Sequence, residues 1–410
     1  MSRSVSVGGT PVAAAGVADT QPRAELSDRA LVAITALVTL PLLWMGYGTD
    51  IDVTDVLRAA AGIREGDYRP SRPPGVPVFE AIAAVLDPVG GHLLLNLATA
   101  AAGAATVVGI ARLVRTWGHR NGDLVALAFL ASPATIIAAT STGDFIWALA
   151  FFVWGALAHL KDRPWAAGVL FGLALGTRLS SVFLLAAFLV ADGWDPPNRR
   201  RCVRTGAIGA ALGALLYVPA WLAADRSLDF LQTTSGWRSF ANNLGRFAYK
   251  NYVTGGALFL LVVLVSVPAL VAALRRWGSD PMLRTAVLGL AVTEFLFFLL
   301  PWKYNHLLPC LVMVLLWLAA SRRNTRGFWW IVIGALAVNG LITFRPLAPD
   351  RPAEASTGRW DPALMAGLLV NDVECRLDAM HEPLQKLNGD AWPCTLKPMR
   401  GSAGGADAGP

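Results

Sequence analysis

Two carboxylates, Asp50 and Asp52, stand where a long apolar stretch gives way to a segment of helical periodicity. An ionised carboxylate beside a bound hydroxyl group can act as a general base and take its proton. Capping is the simpler role, because Asp and Thr are favoured at helix starts and acids are stabilised by that end of the helix dipole. Asp52 or Thr54 is well placed as such a cap, and the two roles are compatible.

A third carboxylate, Asp144, follows Ser141-Thr142-Gly143 at the start of another apolar stretch. It also fits a helix N-cap. Because no cluster of His or Cys accompanies it, no metal ligands are predicted, and a divalent cation is the one cofactor left to consider.

Basic side chains at the ends of further apolar stretches suit an anionic group: Arg178, Lys303 and His306. Arg makes bidentate contacts with phosphate, and Lys supplies a compact charge. Lys303 has the alternative of extending to lipid headgroups, as long basic side chains at the ends of membrane spans commonly do. Arg178 interrupts apolar sequence, so it requires an anionic partner or a water-filled vestibule.

Arg72, in the segment Ser71-Arg72-Pro73-Pro74-Gly75, is a fourth basic candidate for anion binding. A salt bridge with Asp67 or Glu80 is as consistent with the sequence. The site residues predicted from the sequence are therefore two candidates for a base, Asp52 and then Asp50, and five candidates for substrate binding: Asp144, Arg178, Arg72, Lys303 and His306.

The composition shows which solvent must surround the elements that carry these residues. Hydrophobic residues make up 55% of the chain and charged residues 15%, against roughly 25% charged in a soluble domain. The net charge of +7 is spread over short connectors rather than along one face of a soluble module, which argues against nucleic-acid binding. The chain is predicted to be an all-α, polytopic membrane protein.

Apolar windows recur along the whole chain, and most are long enough to cross about 30 Å of hydrocarbon as a helix. They cover residues 30–47, 92–114, 124–140, 145–160, 205–223, 257–274, 285–300, 307–320 and 328–344.

The distribution of Lys and Arg predicts the orientation. Five short connectors, after the spans that end near 114, 160, 190, 274 and 320, carry about fifteen Lys and Arg against about five acidic residues and should be cytoplasmic. Residues 165–190 must then enter the membrane and return, as a helical hairpin with Arg178 at its tip. The prediction is about eleven membrane helices, with the N-terminus in the cytoplasm and the C-terminal tail outside.

The connector after the first span contains two amphipathic segments. Val53, Val56 and Ala60 repeat at helical spacing, and so do Phe79 and Ile82; such helices lie at a membrane surface. We expect four regions: a disordered cytoplasmic tail, 1–28; the transmembrane domain, 29–345; a small extracytoplasmic region, 346–400; and a disordered tail, 401–410. If the C-terminal tail is outside, Cys375 and Cys394 could form a disulfide there.

The order of these features resembles the GT-C superfamily of polyprenyl-phosphate-sugar-dependent glycosyltransferases, mannosyltransferases among them. The resemblance covers roughly residues 30–345. It rests on the acidic motif after the first span, the Gly-x-Tyr and Ser-Arg-Pro-x-Gly-x-Pro segments, and three stretches: Ser141 to Asp144, Gly172 to Arg178, and Lys303 to Pro309.

The resemblance implies that an acid in the first outside loop is the base, usually about two helical turns before small residues of the surface helix. Asp52 fits that spacing against Ala59 best, Asp50 is next, and Asp55 is the weakest candidate. It further implies that an acid of the second outside loop, here Asp144, helps to bind the acceptor, or a metal ion where one is used.

The function that follows from the resemblance is transfer of a sugar from a polyprenyl-phosphate carrier to a glycan, lipid or protein acceptor on the outer side of the plasma membrane. The expected partners are membrane lipid, the lipid-linked donor and the acceptor. The alternative is a transporter or flippase of a lipid-linked saccharide, whose site should lie near the midplane of the membrane among broken helices.

Overall fold

The computed structural model describes residues 25–50, 52–227, 240–301, 303–321, 323–345 and 363–380. Within these ranges the chain is almost entirely helical. The helices are α1 (Asp28–Thr39), α2 (Asp52–Glu65), α3 (Pro77–Thr116), α4 (Gly122–Ala131), α5 (Pro133–Thr140), α6 (Phe145–Leu160), α7 (Pro164–Thr177), α8 (Ser181–Gly193), α9 (Arg199–Leu216), α10 (Val218–Ala223), α11 (Phe240–Ala273), α12 (Pro281–Leu299), α13 (Leu308–Ala320), α14 (Arg326–Leu341) and α15 (Leu368–Met380).

The predicted helical membrane architecture is confirmed in its coarse form. Among the described residues, four helical stretches are long and apolar enough to cross a membrane, and the bent pair α4–α5 would be a fifth. They are α3, α9 continued through α10, α11 with the turn that follows it, and α12. Shorter apolar helices of 10–17 residues include α6, α7, α8 and α14. The total of about eleven membrane helices stays a prediction.

Three predicted spans are wrong as continuous helices. The window 30–47 leaves the α-helix after Thr39, passes through one 3-10 turn at Leu40–Leu42, and continues as turns and bends. The window 124–140 bends by 75° between α4 and α5, because Ser132 is extended and Pro133 has no N–H to continue the helical ladder. The window 328–344 ends its helix at Leu341 and continues as a strand, β1 (Ile342–Arg345).

The two amphipathic segments after α1 form the helices that their periodicity predicts. In α2 the buried face consists of Val53, Val56, Ala59 and Ala60, and it packs against Phe79 and Ala83 in the first part of α3. Non-helical backbone at Gly90–Gly91 separates that part from the second part of α3, which enters the bundle. The two surface helices therefore form one layer over the end of the bundle.

The predicted hairpin around Arg178 is present as α7 and α8. Its arms diverge, because α7 packs on α6 and α9 whereas α8 packs mainly on α12. Arg178 stands between them at the end of the bundle that the surface helices cover.

The C-terminal region returns to the same end of the bundle. Strand β1 pairs in antiparallel register with β2 (Ala363–Ala366), and α15 then packs against α14 and α5. Cys375, in α15, is disulfide-bonded; Cys394, its predicted partner, lies outside the described residues, as do the predicted tails 401–410 and most of 1–28.

Candidate active site

Asn96, buried in the second part of α3, holds two loops side by side. Its side-chain nitrogen donates to the carbonyl oxygens of Leu43 and Gly46 at 2.9 and 2.7 Å. Its side-chain oxygen accepts the Thr142 hydroxyl at 3.1 Å, and the Thr142 N–H donates to the carbonyl of Tyr47 at 2.8 Å. The loop between α1 and α2 and the turn before α6 are thereby fixed next to each other.

Gly48 marks the closest approach of these loops. Its φ of +108° is in the region that glycine tolerates and other residues avoid. A Cβ atom at this position would lie 2.5 Å from the Cβ of Ser141. Both constraints require glycine, and they bring the carboxylate of the first loop toward that of the second.

One half of the charged cluster consists of Asp50, Asp52 and Lys303. The Lys303 ammonium lies 2.5 Å from Oδ1 of Asp50 and 2.6 Å from Oδ2 of Asp52, so the alternative in which Lys303 extends to lipid headgroups is wrong. The side chain of Asp50 accepts the Asp52 N–H at 3.0 Å and so caps the start of α2. Capping therefore falls to Asp50, and the Asp52 carboxylate faces Lys303 and Arg72.

The other half consists of Asp144, Arg72 and Arg178. Arg72 Nη2 lies 3.1 Å from both oxygens of Asp144, Arg178 Nη1 lies 2.6 Å from Oδ2 of Asp144, and Arg72 Nη1 also contacts Asp52. Burial disfavours ionisation of Asp144, but the charges of Arg178 and Arg72 outweigh it and lower its pKa to about 2.

Two alternatives left open by the sequence are therefore wrong. Asp144 occupies the N-cap position of α6, but its side chain makes no capping hydrogen bond. Arg72 forms its ion pairs with Asp52 and Asp144 rather than with Asp67 or Glu80. Asp67 and Glu80 are closer to Arg72 in sequence than Asp144 is. The loop nevertheless places the Arg72 guanidinium next to the turn before α6.

His306 joins the cluster as a neutral ring. Its Nε2 lies 3.4 Å from Arg178 Nη2, and the Phe145 ring contacts both side chains. Burial, followed by the charges of Arg178 and Lys303, lowers the pKa of His306 well below its ordinary value. A neutral Nε2 can accept a hydrogen bond from Arg178.

A cavity of about 720 Å³ opens beside this cluster. At one end it is lined by Asp52, Arg72, Arg178, Lys303 and His306. Its remaining wall is mostly apolar and comes from α6, α8 and α12: Phe145, Leu149, Phe152, Val182, Phe183, Leu184, Leu296 and Phe297. Charged side chains grouped beside an apolar wall make this cavity suitable for a molecule with an anionic head and a long apolar portion.

Glu80 is a site residue whose role the sequence did not reveal. It is fully buried and accepts hydrogen bonds from the Tyr68 hydroxyl at 2.5 Å, the Ser71 N–H at 2.8 Å and the Val76 N–H at 3.3 Å. These bonds fold residues 68–76 into the loop that presents Arg72. The only signal in the sequence was an acid one turn into a predicted surface helix.

Comparison with known proteins supports the fold that carries this site. The chain is similar in fold to the crystal structure of ArnT from Cupriavidus metallidurans bound to undecaprenyl phosphate, with a TM-score of 0.51, 19% identity, and coverage of 70% of this chain and 59% of that one. The apo state of the same protein gives a TM-score of 0.50 at 19% identity. The chain thus matches less than two thirds of ArnT. A comparison with curated proteins gave no match.

A family model identifies the chain more directly than the structural likeness does. The model for glycosyltransferase family 87 matches residues 73–301, more than half of the sequence. That range includes Arg72's partner Asp144 and the Arg178 hairpin. The superfamily resemblance seen in the sequence is confirmed: the chain has a GT-C membrane fold and belongs to glycosyltransferase family 87.

Proposed function

We propose that this protein transfers a hexose from a polyprenyl-phosphate carrier to a hydroxyl group of a glycan, lipid or protein acceptor. The proposal rests on one observation: a single cavity is lined by the carboxylate of Asp52, by three basic side chains and by a long apolar wall. An isoprenoid phosphate needs both an anion site and an apolar groove. The solved structure of ArnT with undecaprenyl phosphate supports a donor of this class.

In the proposed reaction Asp52 takes the proton of the acceptor hydroxyl, while the oxygen of that hydroxyl attacks the anomeric carbon of the donor. The bond from that carbon to the phosphate oxygen breaks, and both of its electrons leave with the polyprenyl phosphate. Arg178 and Lys303, with Arg72, hold that phosphate and stabilise its increasing charge. A phosphate that binds Lys303 and Arg72 also withdraws them from Asp52, which frees its carboxylate to accept the proton.

The three carboxylates suit different roles. Asp144 is clamped by two arginines and stays ionised, so it is suited to orienting them rather than to taking a proton. Asp50 caps α2 and holds Lys303. Asp52 lines the cavity itself and is the best placed of the three as the base.

We place the site on the extracytoplasmic side of the plasma membrane. The basic connectors predict this orientation, and the disulfide of Cys375 supports it, since disulfides persist in oxidising compartments. α15, which carries that cysteine, contacts the first loop through the Thr49 hydroxyl, 2.8 Å from Asp372. The transporter alternative is not favoured, because the charged cluster lies at the helix ends and the family is one of transferases.

The test is transfer by purified protein in liposomes from a radiolabelled polyprenyl-phosphate hexose to candidate acceptors. Asp52→Asn should lower the transfer rate at least about 100-fold, the usual contribution of a general base. Asp50→Asn should lower it less, through loss of Lys303 positioning.

The matched control is Asp55→Asn, on the same helix, where the carboxylate is 41% exposed and pairs with its near neighbour Arg58. It should transfer at the wild-type rate. Wild-type transfer by Asp52→Asn would refute the base assignment, and vectorial movement of the donor without bond formation would refute the transferase.

A further inference from the structure

At the opposite end of the bundle from the candidate active site, three metal-ligating side chains converge. His159 ends α6, Asp192 lies near the end of α8, and Cys202 lies in the first turn of α9; all three are buried. Among the described residues this is the one group of three His, Cys or acidic side chains whose ligand atoms meet closely enough to hold an ion.

The spacing of the ligand atoms is within a few tenths of an ångström of that in a tetrahedral zinc centre. Asp192 Oδ2 lies 3.0 Å from His159 Nε2 and 3.4 Å from Cys202 Sγ, and Sγ lies 3.7 Å from Nε2. Zinc bonds of about 2.0 Å to nitrogen or oxygen and about 2.3 Å to sulfur separate tetrahedral ligands by about 3.3–3.6 Å. Small side-chain movements would bring all three atoms to one ion.

The atoms that face away from this point are held as in metal sites. The other ring nitrogen of His159 lies 3.0 Å from the buried Thr205 hydroxyl, and Asp192 Oδ1 accepts the side-chain amide of Asn198 at 3.3 Å. Such partners orient a histidine or carboxylate so that its free lone pair points at the ion.

In the structure as described, Arg201 supplies the positive charge next to Asp192. Its Nη2 lies 2.9 Å from Asp192 Oδ2, and its Nε lies 3.2 Å from His159 Nε2. The single Nε2 atom cannot both accept from Arg201 and donate to Asp192, so one of these two contacts is unfavourable. An ion bound to Nε2 and Oδ2 would remove that conflict, and Arg201, whose side chain is 20% exposed, has room to turn outward.

We propose that His159, Asp192 and Cys202 bind one Zn²⁺ ion, with water as a fourth ligand and Arg201 as the competing cation. His and Cys with one carboxylate form a ligand set that zinc accepts, whereas Mg²⁺ and Ca²⁺ prefer oxygen alone. The ion would join the ends of α6, α8 and α9 and is distinct from the transfer site. This proposal does not rest on the proposed function.

The test uses full-length protein purified without a metal-affinity step. Elemental analysis should find about one zinc per chain after dialysis against a weak chelator. After zinc removal, Co²⁺ should produce a thiolate charge-transfer absorption, and Cys202→Ser should lose it. Cys310→Ser removes the other buried free cysteine and should keep it.

Arg201→Gln separates a metal site from a permanent ion-pair cluster. Without the competing charge, metal affinity should rise by about tenfold, while Thr205→Val should lower it by about 10–100-fold. If neither the wild-type protein nor Arg201→Gln retains zinc, or if neither shows the charge-transfer band with Co²⁺, the site does not bind metal and the proposal is wrong.

Discussion

Glu80 shows how a residue away from the reacting atoms can determine their geometry. Its two carboxylate oxygens accept three hydrogen bonds from the segment that carries Arg72. Buried acceptors of this kind cost about 1–3 kcal/mol when a partner group is left without a bond. Burial, together with the charge of Glu80, raises the pKa of Tyr68, so its hydroxyl remains a donor at physiological pH.

We therefore expect Glu80→Ala to lower transfer by about 100-fold through displacement of Arg72. Glu80→Gln should recover part of this loss, because its amide oxygen still accepts the Tyr68 hydroxyl. Steady-state rates with the lipid-linked donor measure the effect. Glu65→Gln, at the exposed end of α2, should leave the rate unchanged.

A double variant tests whether Glu80 acts through Arg72. If it does, Glu80→Gln combined with Arg72→Met should lose little more activity than Arg72→Met alone. Additive losses would show that Glu80 supports the fold generally and does not position this arginine.

At this scale the sequence predicted which residues meet but not how they pair. All seven candidates, from Asp50 to His306, lie in one cluster. Charged groups at the same end of apolar helices pair with one another because burying them unpaired in the membrane is costly. The pairings were not predictable. Lys303 and Asp50 are 253 positions apart, and nothing local shows which cation reaches which acid.

Among the elements, the contact between the first loop and the turn before α6 controls the distance between the two halves of the cluster. Gly48 allows that contact, and Asn96 fixes it. A side chain at Gly48 must displace Ser141 and, with it, the turn that carries Asp144.

Gly48→Ala should consequently lower transfer by about 100-fold, the cost of a misplacement near 1 Å. Gly46→Ala is the matched control, since Gly46 has a φ of +72° but open space around its Cβ position. That variant should bear only the conformational cost of about 1–2 kcal/mol, visible as a lower melting temperature. Equal activity of the two variants would show that the contact does not control the site.

The helical elements were more predictable than their irregularities. Hydrophobic periodicity identified both surface helices. The basic connectors on either side of residues 165–190 identified the hairpin, because both connectors should face the cytoplasm. The Ser132-Pro133 pair was a sequence signal for the bend, but the length of the apolar window 124–140 favoured one continuous span. The strand after Leu341 had none, since its partner β2 begins 18 positions after β1 ends and their pairing is a tertiary effect.

In the whole molecule, the charged cluster and α15 share one end of the bundle, and the His159 cluster lies at the other. His159 is separated from Asp144 by α6, a distance of roughly 22 Å at 1.5 Å per residue. The two ends should therefore face opposite compartments.

Labelling of single added cysteines tests this arrangement. Arg69→Cys, in a side chain 82% exposed, should react with a membrane-impermeant maleimide on intact cells. Lys161→Cys, exposed after α6, should react only once the cells are permeabilised. Among the described residues, native Cys202 and Cys310 are buried and Cys375 is in a disulfide, and labelling of the protein without an added cysteine gives the background. Labelling of Lys161→Cys alone in intact cells would contradict the proposed orientation.

The charged cluster contains as many acids as bases: Asp50, Asp52 and Asp144 against Arg72, Arg178 and Lys303. A phosphate that enters the site therefore meets cations that are already paired with carboxylates. It must replace those carboxylates as the partner of the cations. After the transfer that we propose, the same carboxylates would pair with the cations again. This exchange would assist release of the polyprenyl phosphate, because its departure would leave no unpaired positive charge in the cluster.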